Sequence, residues 1–208
     1  VNVSATGNVS GTSQVGGLIG ITNGSILDST FGGNVTATGD EVGGLAGRSN
    51  ATVENSTITS GLVTGDEIVG GLIGTSDVTV DDAGVSDITV KGNRSVGGIV
   101  GSTDANISDA EVNADVTGDT ELGGIAGIVL NESTVTNVSA AGNVSGDTEV
   151  GGLIGASTGI ISNSTAETKV TAEDDLVGGI AGNVTDTGEV VNVSATGNVS
   201  GTSQVGGL

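Results

Sequence analysis

The sequence predicts an all-β chain wound as a parallel β-solenoid, with about three short strands in each coil of ~27 residues. Three observations predict it. A six-residue stretch, Val15-Gly16-Gly17-Leu18-Ile19-Gly20, returns from positions 42, 69, 96, 122, 150 and 177 and starts again at 205. A fixed period in this range marks a repeat architecture in which each unit stacks on its neighbours. Away from that stretch, apolar and small residues fall on one parity, the period of a strand and not of a helix. The stock of side chains points the same way. Phe31 is the one aromatic residue, and Pro, Cys, Met, His, Trp and Tyr are absent. Val, Ile, Leu and Ala must therefore form a thin interior, and β-branched residues with Gly disfavour helices.

Each repeat has three parts. The Gly-Gly stretch comes first, and most of the chain's 40 glycines sit at fixed repeat positions, which reads as backbone geometry and not as disorder. A variable stretch follows, such as Ile21–Ser25. It is two residues longer at Ile128–Thr134 and Asn183–Glu189, an insertion that keeps inward and outward side chains in phase. The third part begins with an apolar residue two before an Asp or Asn, as in Ile26-x-Asp28-Ser29-x-Phe31 and Val53-x-Asn55-Ser56-x-Ile58. Four residues on, an apolar residue is expected to point inward: Val35, Leu62, Val116, Val144, Val170 and Val199, with Thr89 breaking the series beside Val90. Stacked coils would pair through every strand at a spacing of about 4.8 Å. Parallel crossovers favour a right-handed coil. Residues 1–208 read as one continuous solenoid segment.

The hexapeptides VGGLIG, VGGLAG and VGGIVG resemble the GLUG motif, found in tandem in large bacterial and archaeal surface proteins, among them adhesin-like and immunoglobulin-A-peptidase-like proteins. The resemblance covers the chain as repeats. It implies a repeat region of a surface protein. In such peptidases the chemistry lies in a separate metal-binding domain, and a chain without His carries nothing like its motif.

Charge narrows the partners. Twenty-five acids against Arg48, Lys91, Arg94 and Lys169 give a net charge of −21 at pH 7. Phosphate binding needs clustered Lys and Arg, so nucleic acid is not expected as a partner, and anionic membrane surfaces are disfavoured. An excess of Asp and Glu suits very salty water, where screening weakens self-repulsion, so a high-salt organism is expected. No run reaches the ~20 apolar residues of a spanning helix, so no membrane insertion is expected within this segment.

The Asp/Asn position is filled in every repeat, by Asp28, Asn55, Asp82, Asp109, Asn137, Asn163 and Asn192, with Asn2 in the partial first coil. Parity shifts just after it, so a corner or bulge is expected, held by side chains that bond nearby backbone and tolerate unusual dihedrals. Stacked amides can also bond one another. An apolar replacement there is expected to leave buried backbone groups unpaired. A second, acidic row precedes the Gly-Gly stretch: Asp40, Glu41, Asp66, Glu67, Asp119, Glu121, Asp147, Glu149, Glu173, Asp174 and Asp175. Such a row either forms a solvated edge or offers oxygen ligands to Ca²⁺ or another hard cation. No cofactor is required. Asn8, Asn34, Asn143 and Asn198 head Asn-x-Ser/Thr sequons before an inward-facing Val, so they should face out as glycan acceptors.

Catalysis is not expected. Ser-His-Asp and Cys-His sets are absent, and a glycosidase-like carboxylate pair needs an irregular patch that repetition does not offer. The expected role is an extracellular structural repeat, a stiff fibre, filament or stalk at the cell surface. The alternative is an adhesin module recognising glycan or another cell through one solenoid face. Self-association is expected along or between fibres. Leu18-Ile19 and Leu45-Ala46 place two apolar residues side by side, and strand alternation would expose one of each pair as a stripe for lateral pairing. Finally, residues 191–208 are identical to residues 1–18, at an offset of 190. A 190-residue unit repeated in tandem would produce that identity, as would separate chains meeting end to end.

Overall fold

Three parallel sheets enclose a narrow column of Val, Ile, Leu and Ala side chains. The computed structural model describes residues 2–185 and 187–207. One sheet, here the motif sheet, stacks eight strands in chain order, from Val15–Gly16 and Val42–Gly43 through to Val205–Gly206. A second, the facing sheet, stacks seven, from Ile19–Thr22 through Ala46–Ser49 to Ala181–Val184. The third sheet holds the remaining strands of every coil and is the widest side, called here the long face. The coil is three-sided, and its sides are unequal.

Register follows the sequence repeat. Val15, Val42, Val69, Val96, Leu122, Val150, Val177 and Val205 pair in one unbroken row, although the steps between them vary. Ile26, Val53, Val80, Ile107, Val135, Ile161 and Val190 form another. The longer variable stretch loops out at residues 130–133, where Ser133 N–H bonds Leu130 O at 3.2 Å, and the pairing beyond it is undisturbed.

A third inward row runs Ala5, Phe31, Ile58, Val85, Val112, Ala140, Ala166, Ala195. It steps down in size after Phe31. A second inward position compensates in part: Gly61 pairs there with Ile88, which is followed by Ala114, Gly142 and Thr168. The last inward row on this face differs from the sequence expectation at one coil. Val63, 1% exposed, lines up with Val35 and Val90, while Leu62 is half-buried. Ile58 and Val63 stand five residues apart where Phe31 and Val35 stand four apart, and the extra residue, a bulge between Ile58 and Gly61, turns Leu62 out of the row. The apparent break at Thr89 disappears for the same reason, because Val90 and not Thr89 belongs to the row.

Among the described residues the expected exposed apolar stripe does not form, and Leu18 and Ile19 in the first full motif are half-buried. Leu45 and Ala46 are both 0% exposed, as are Leu72 with Ile73 and Leu153 with Ile154. Val42–Gly43 and Ala46–Ser49 are strands of different sheets, with the turn at Gly44-Leu45 between them. Strand alternation stops at that turn, so neighbouring side chains can both be buried.

The glycines explain how. A Cβ on Gly43 would lie 2.2 Å from Ala46 O and 2.7 Å from Gly74 N. One on Gly47 would lie 2.5 Å from the carbonyl carbon of Gln14 and 2.6 Å from Val15 N. The motif sheet and the facing sheet therefore touch backbone to backbone. Gly44 meets both backbone and core, since a Cβ there would sit 2.2 Å from Gly71 O and 2.7 Å from Ile58 Cδ1. These motif glycines serve close approach, while the left-handed glycines among the described residues are Gly7, Gly33, Gly61 and Gly142.

Candidate functional site

Two polar corners and the outer surface of the long face carry the chemistry of this molecule. At the first corner every repeat turns through a left-handed residue. Asp28, Asn55, Asp82, Asp109, Asn137, Asn163 and Asn192 have φ between 47° and 54°. Asp and Asn tolerate that region better than branched side chains do, which is why this corner is written in those residues. Their side chains reach along the axis in pairs. Asn55 Nδ2 donates to Asp28 Oδ1 at 2.6 Å, Asn137 donates to Asp109, and Asn192 Nδ2 donates to Asn163 Oδ1 at 2.6 Å. All of these residues, and Asn2, are exposed. The expected cost of unpaired buried backbone groups therefore falls away at the side chains, and the dihedral is what constrains the position.

The backbone just beyond is sealed from inside by hydroxyls. Ser56 Oγ donates to Glu54 O at 2.9 Å and accepts from Ser29 N–H at 3.1 Å. Ser164 Oγ does the same between Ser162 O and Val138 N–H. Ser56 and Ser164 are buried, 0% and 3% exposed, so these bonds satisfy polar groups that water does not reach.

The acidic row divides into two sets. Glu41, Glu121 and Glu149 stand directly before the motif, with φ of 57°, 59° and 53°. Gln14, Ser95, Leu176 and Gln204 adopt the same conformation at the same place, a second left-handed corner that the sequence did not reveal. Its residue types are too mixed to signal a dihedral. These carboxylates bind partners on the facing sheet or on adjacent coils. Glu41 accepts from Arg48 Nη1 at 2.9 Å and from Gln14 Nε2 at 2.7 Å. Glu121, 7% exposed, accepts from Arg94 Nη2 at 3.0 Å and from Ser95. Glu149 accepts from Asn183 Nδ2 at 2.7 Å. Arg48 is held above the usual guanidinium range first by its hydrogen bond to Asp77 and then by Glu41, and Arg94 by its bond to Glu121.

The other set sits earlier in the turn. Asp66, Asp119, Asp147 and Asp174 join backbone to backbone across coils, as in Asp147 N–H to Asp119 O at 2.8 Å and Asp174 N–H to Asp147 O at 2.9 Å. Asp66 Oδ1 accepts from Asn93 Nδ2 at 2.5 Å. Asp40, Glu67, Glu173 and Asp175 are exposed. Among the described residues no three acidic side chains group closely enough to hold a metal ion.

The sequon residues Asn8, Asn34, Asn143 and Asn198 are exposed. Three of them also bond along the stack. Asn34 N–H donates to Asn8 Oδ1 at 3.4 Å, Leu62 N–H donates to Asn34 Oδ1 at 3.0 Å, and Asn143 Nδ2 donates to Asp115 Oδ1 at 2.6 Å. They lie on the part of the long face beyond the Asp/Asn corner, residues 4–11, 30–37, 57–64, 84–91, 111–117, 139–145, 165–171 and 194–200. Of the chain's 25 acids this part of the face holds Asp87, Glu111, Asp115 and Glu167, together with Lys91 and Lys169, while Glu54, Asp81 and Glu189 lie on the same sheet before the corner. Its remaining outward residues are mostly Ser, Thr and Asn. Most of the other acids lie at the two corners, in the variable stretches or just before the Asp/Asn corner, and the strands of the facing sheet carry none.

Residues 146–171 match the family model of the GLUG motif. The matched segment runs from the corner before one Gly-Gly motif, through its turn and facing strand, almost to the end of the long-face strand Thr165–Ala172, which is nearly one whole coil. The coils before and after it pair with it strand by strand, and the remaining coils pair in the same way with their own neighbours, so they repeat the same structural unit. No curated protein and no solved structure matches the chain significantly. No helix among the described residues is long and apolar enough to cross a membrane.

Proposed function

We propose that this chain is a structural repeat, a stiff segment of an extracellular fibre, filament or stalk. One observation carries the reading: the three sheets run without interruption through successive coils, each pairing with the coil on either side. Such a rod gains length by adding coils, since each coil needs only its neighbours. Repetition also spreads the polar groups along the axis from coil to coil, and among the described residues no single patch gathers the acid, base and nucleophile that catalysis requires. The net charge of −21 suits a surface exposed to high salt. An antibody against this segment should label threads outside the cell by electron microscopy. Label confined to the cell interior would overturn the reading.

The charge-poor long face favours a second reading, an adhesin module. A flat hydroxyl- and amide-rich sheet can hydrogen-bond glycan hydroxyls, and neutral ligands meet little desolvation cost from paired charges there. Glycan-array binding that is lost when Thr57, Thr59 and Thr64 are replaced by Glu would support it. Binding that survives those changes would remove the long face from consideration.

A further inference from the structure

The two identical stretches, residues 1–18 and 191–208, use opposite edges. In the first, Ser4–Thr6 and Val9–Gly11 pair forward, with Thr30–Gly32 and Val35–Ala37. In the second, Ser194–Ala195 and Val199–Ser200 pair backward, with strand Thr165–Ala172. One sequence thus satisfies a preceding coil in one place and a following coil in the other. Nothing in the segment itself distinguishes the two settings.

The core beside the segment sharpens this. Phe31, the largest side chain of the interior, packs its ring against Gly17, where a Cβ would lie 2.7 Å from both Cδ1 and Cε1. Ala5 leaves room below the ring in the paired row. The counterparts in the second copy are Gly207 and Ala195, and a Cβ on Gly207 meets nothing within 4 Å. The inward row that begins at Phe31 ends on alanines at 140, 166 and 195. In the first copy the ring lies between Ala5 and Ile58, and Ala195 offers a following Phe31 the same small neighbour that Ala5 does.

We infer that the open edge of residues 191–207 takes a second copy of residues 19–208, continued in the same chain, with the new Phe31 ring seated on Gly207 and Ala195. The segment then serves as one shared coil, and the solenoid crosses the seam without a joint. Seven coils advance the axis by roughly 34 Å per unit at the strand spacing of parallel sheets. The inference deepens the fibre reading, since it says how that fibre lengthens, yet it concerns only how two units fit and can fail while the fibre reading stands.

Backbone amides supply the readout. In the first copy Gly7, Val9, Val15 and Gly17 donate forward, to Gly32 O, Asn34 O, Glu41 O and Gly44 O. Their counterparts Gly197, Val199, Val205 and Gly207 should gain those bonds only when a second unit follows. Hydrogen exchange is compared between the 208-residue chain and a chain in which residues 19–208 are repeated once after residue 208. The four amides should exchange fast in the shorter chain and be protected on the order of a hundredfold or more in the longer one. A Gly207→Val substitution should leave the melting of the shorter chain unchanged, because its side is open there, and should abolish that protection in the longer chain. Four amides equally exposed in both chains would overturn the seam. So would a Gly207→Val variant that protects them as well as the parent does.

Discussion

The Gly-Gly corner and the long face solve the same stacking problem in opposite ways. At the corner, backbone lies on backbone and the sequence barely varies from Val15-Gly16-Gly17 to Val177-Gly178-Gly179. On the long face, side chains fill the space and the coils differ freely. Val80–Lys91 runs as one bulged strand of 12 residues with left-handed turns at Asp82 and Asp87, whereas Glu111–Thr117 is straight and alternates strictly between exposed and buried. The two still pair, with the register shifting once between Ser86 and Ile88. A bulge accommodates an extra residue where side chains can repack. Atoms of the main chain have no such freedom, so the corner admits only glycine.

The largest effect should come from the corner. Gly43→Ala puts a methyl 2.2 Å from a carbonyl oxygen that cannot move without parting two sheets. A loss on the order of 4 kcal/mol or more is expected, or failure to fold, read by denaturant unfolding. A cost near that of an ordinary surface alanine would break the contrast. Ile58→Ala, in the core that the long face covers, should cost about 2–5 kcal/mol through lost burial and the cavity left behind.

The Asp/Asn corner comes next. Asn55→Leu should cost about 1–2 kcal/mol, because Leu at φ 47° crowds its own carbonyl. Asn55→Gly should cost clearly less although it also removes the bond to Asp28. Equal losses would mean that the amide pair and not the dihedral holds the turn. Charge should matter less again. Asp147→Asn with Asp174→Asn should raise the melting point in dilute buffer by the equivalent of a few tenths to about 1 kcal/mol, and the gain should vanish in molar salt. Glu111→Gln on the long face should show little of this, and a matching response there would deny that repulsion is focused at the corner. Smallest of all, the exposed Thr59→Ala should stay within about 0.5 kcal/mol of the parent in thermal melting.

The sequence by itself determined the period, the parallel solenoid and most inward rows, because a repeat writes the same environment seven times and chance cannot imitate it. It also marked the left-handed corner at Asp28 and its equivalents, since few residue types suit that dihedral. Tertiary structure decided the rest. The burial of both Leu45 and Ala46 depends on which sheet each strand joins, and alternation read along one chain carries no information across a turn. Val63 rather than Leu62 faces inward because the neighbouring coils fix the register and the extra residue between Ile58 and Gly61 is bulged out to meet it. The left-handed set at Glu41, Glu121 and Glu149 was hidden for the same kind of reason. Its dihedral is imposed by the close contact of two sheets, and any side chain that can reach solvent or a partner such as Arg48 or Arg94 is admitted there.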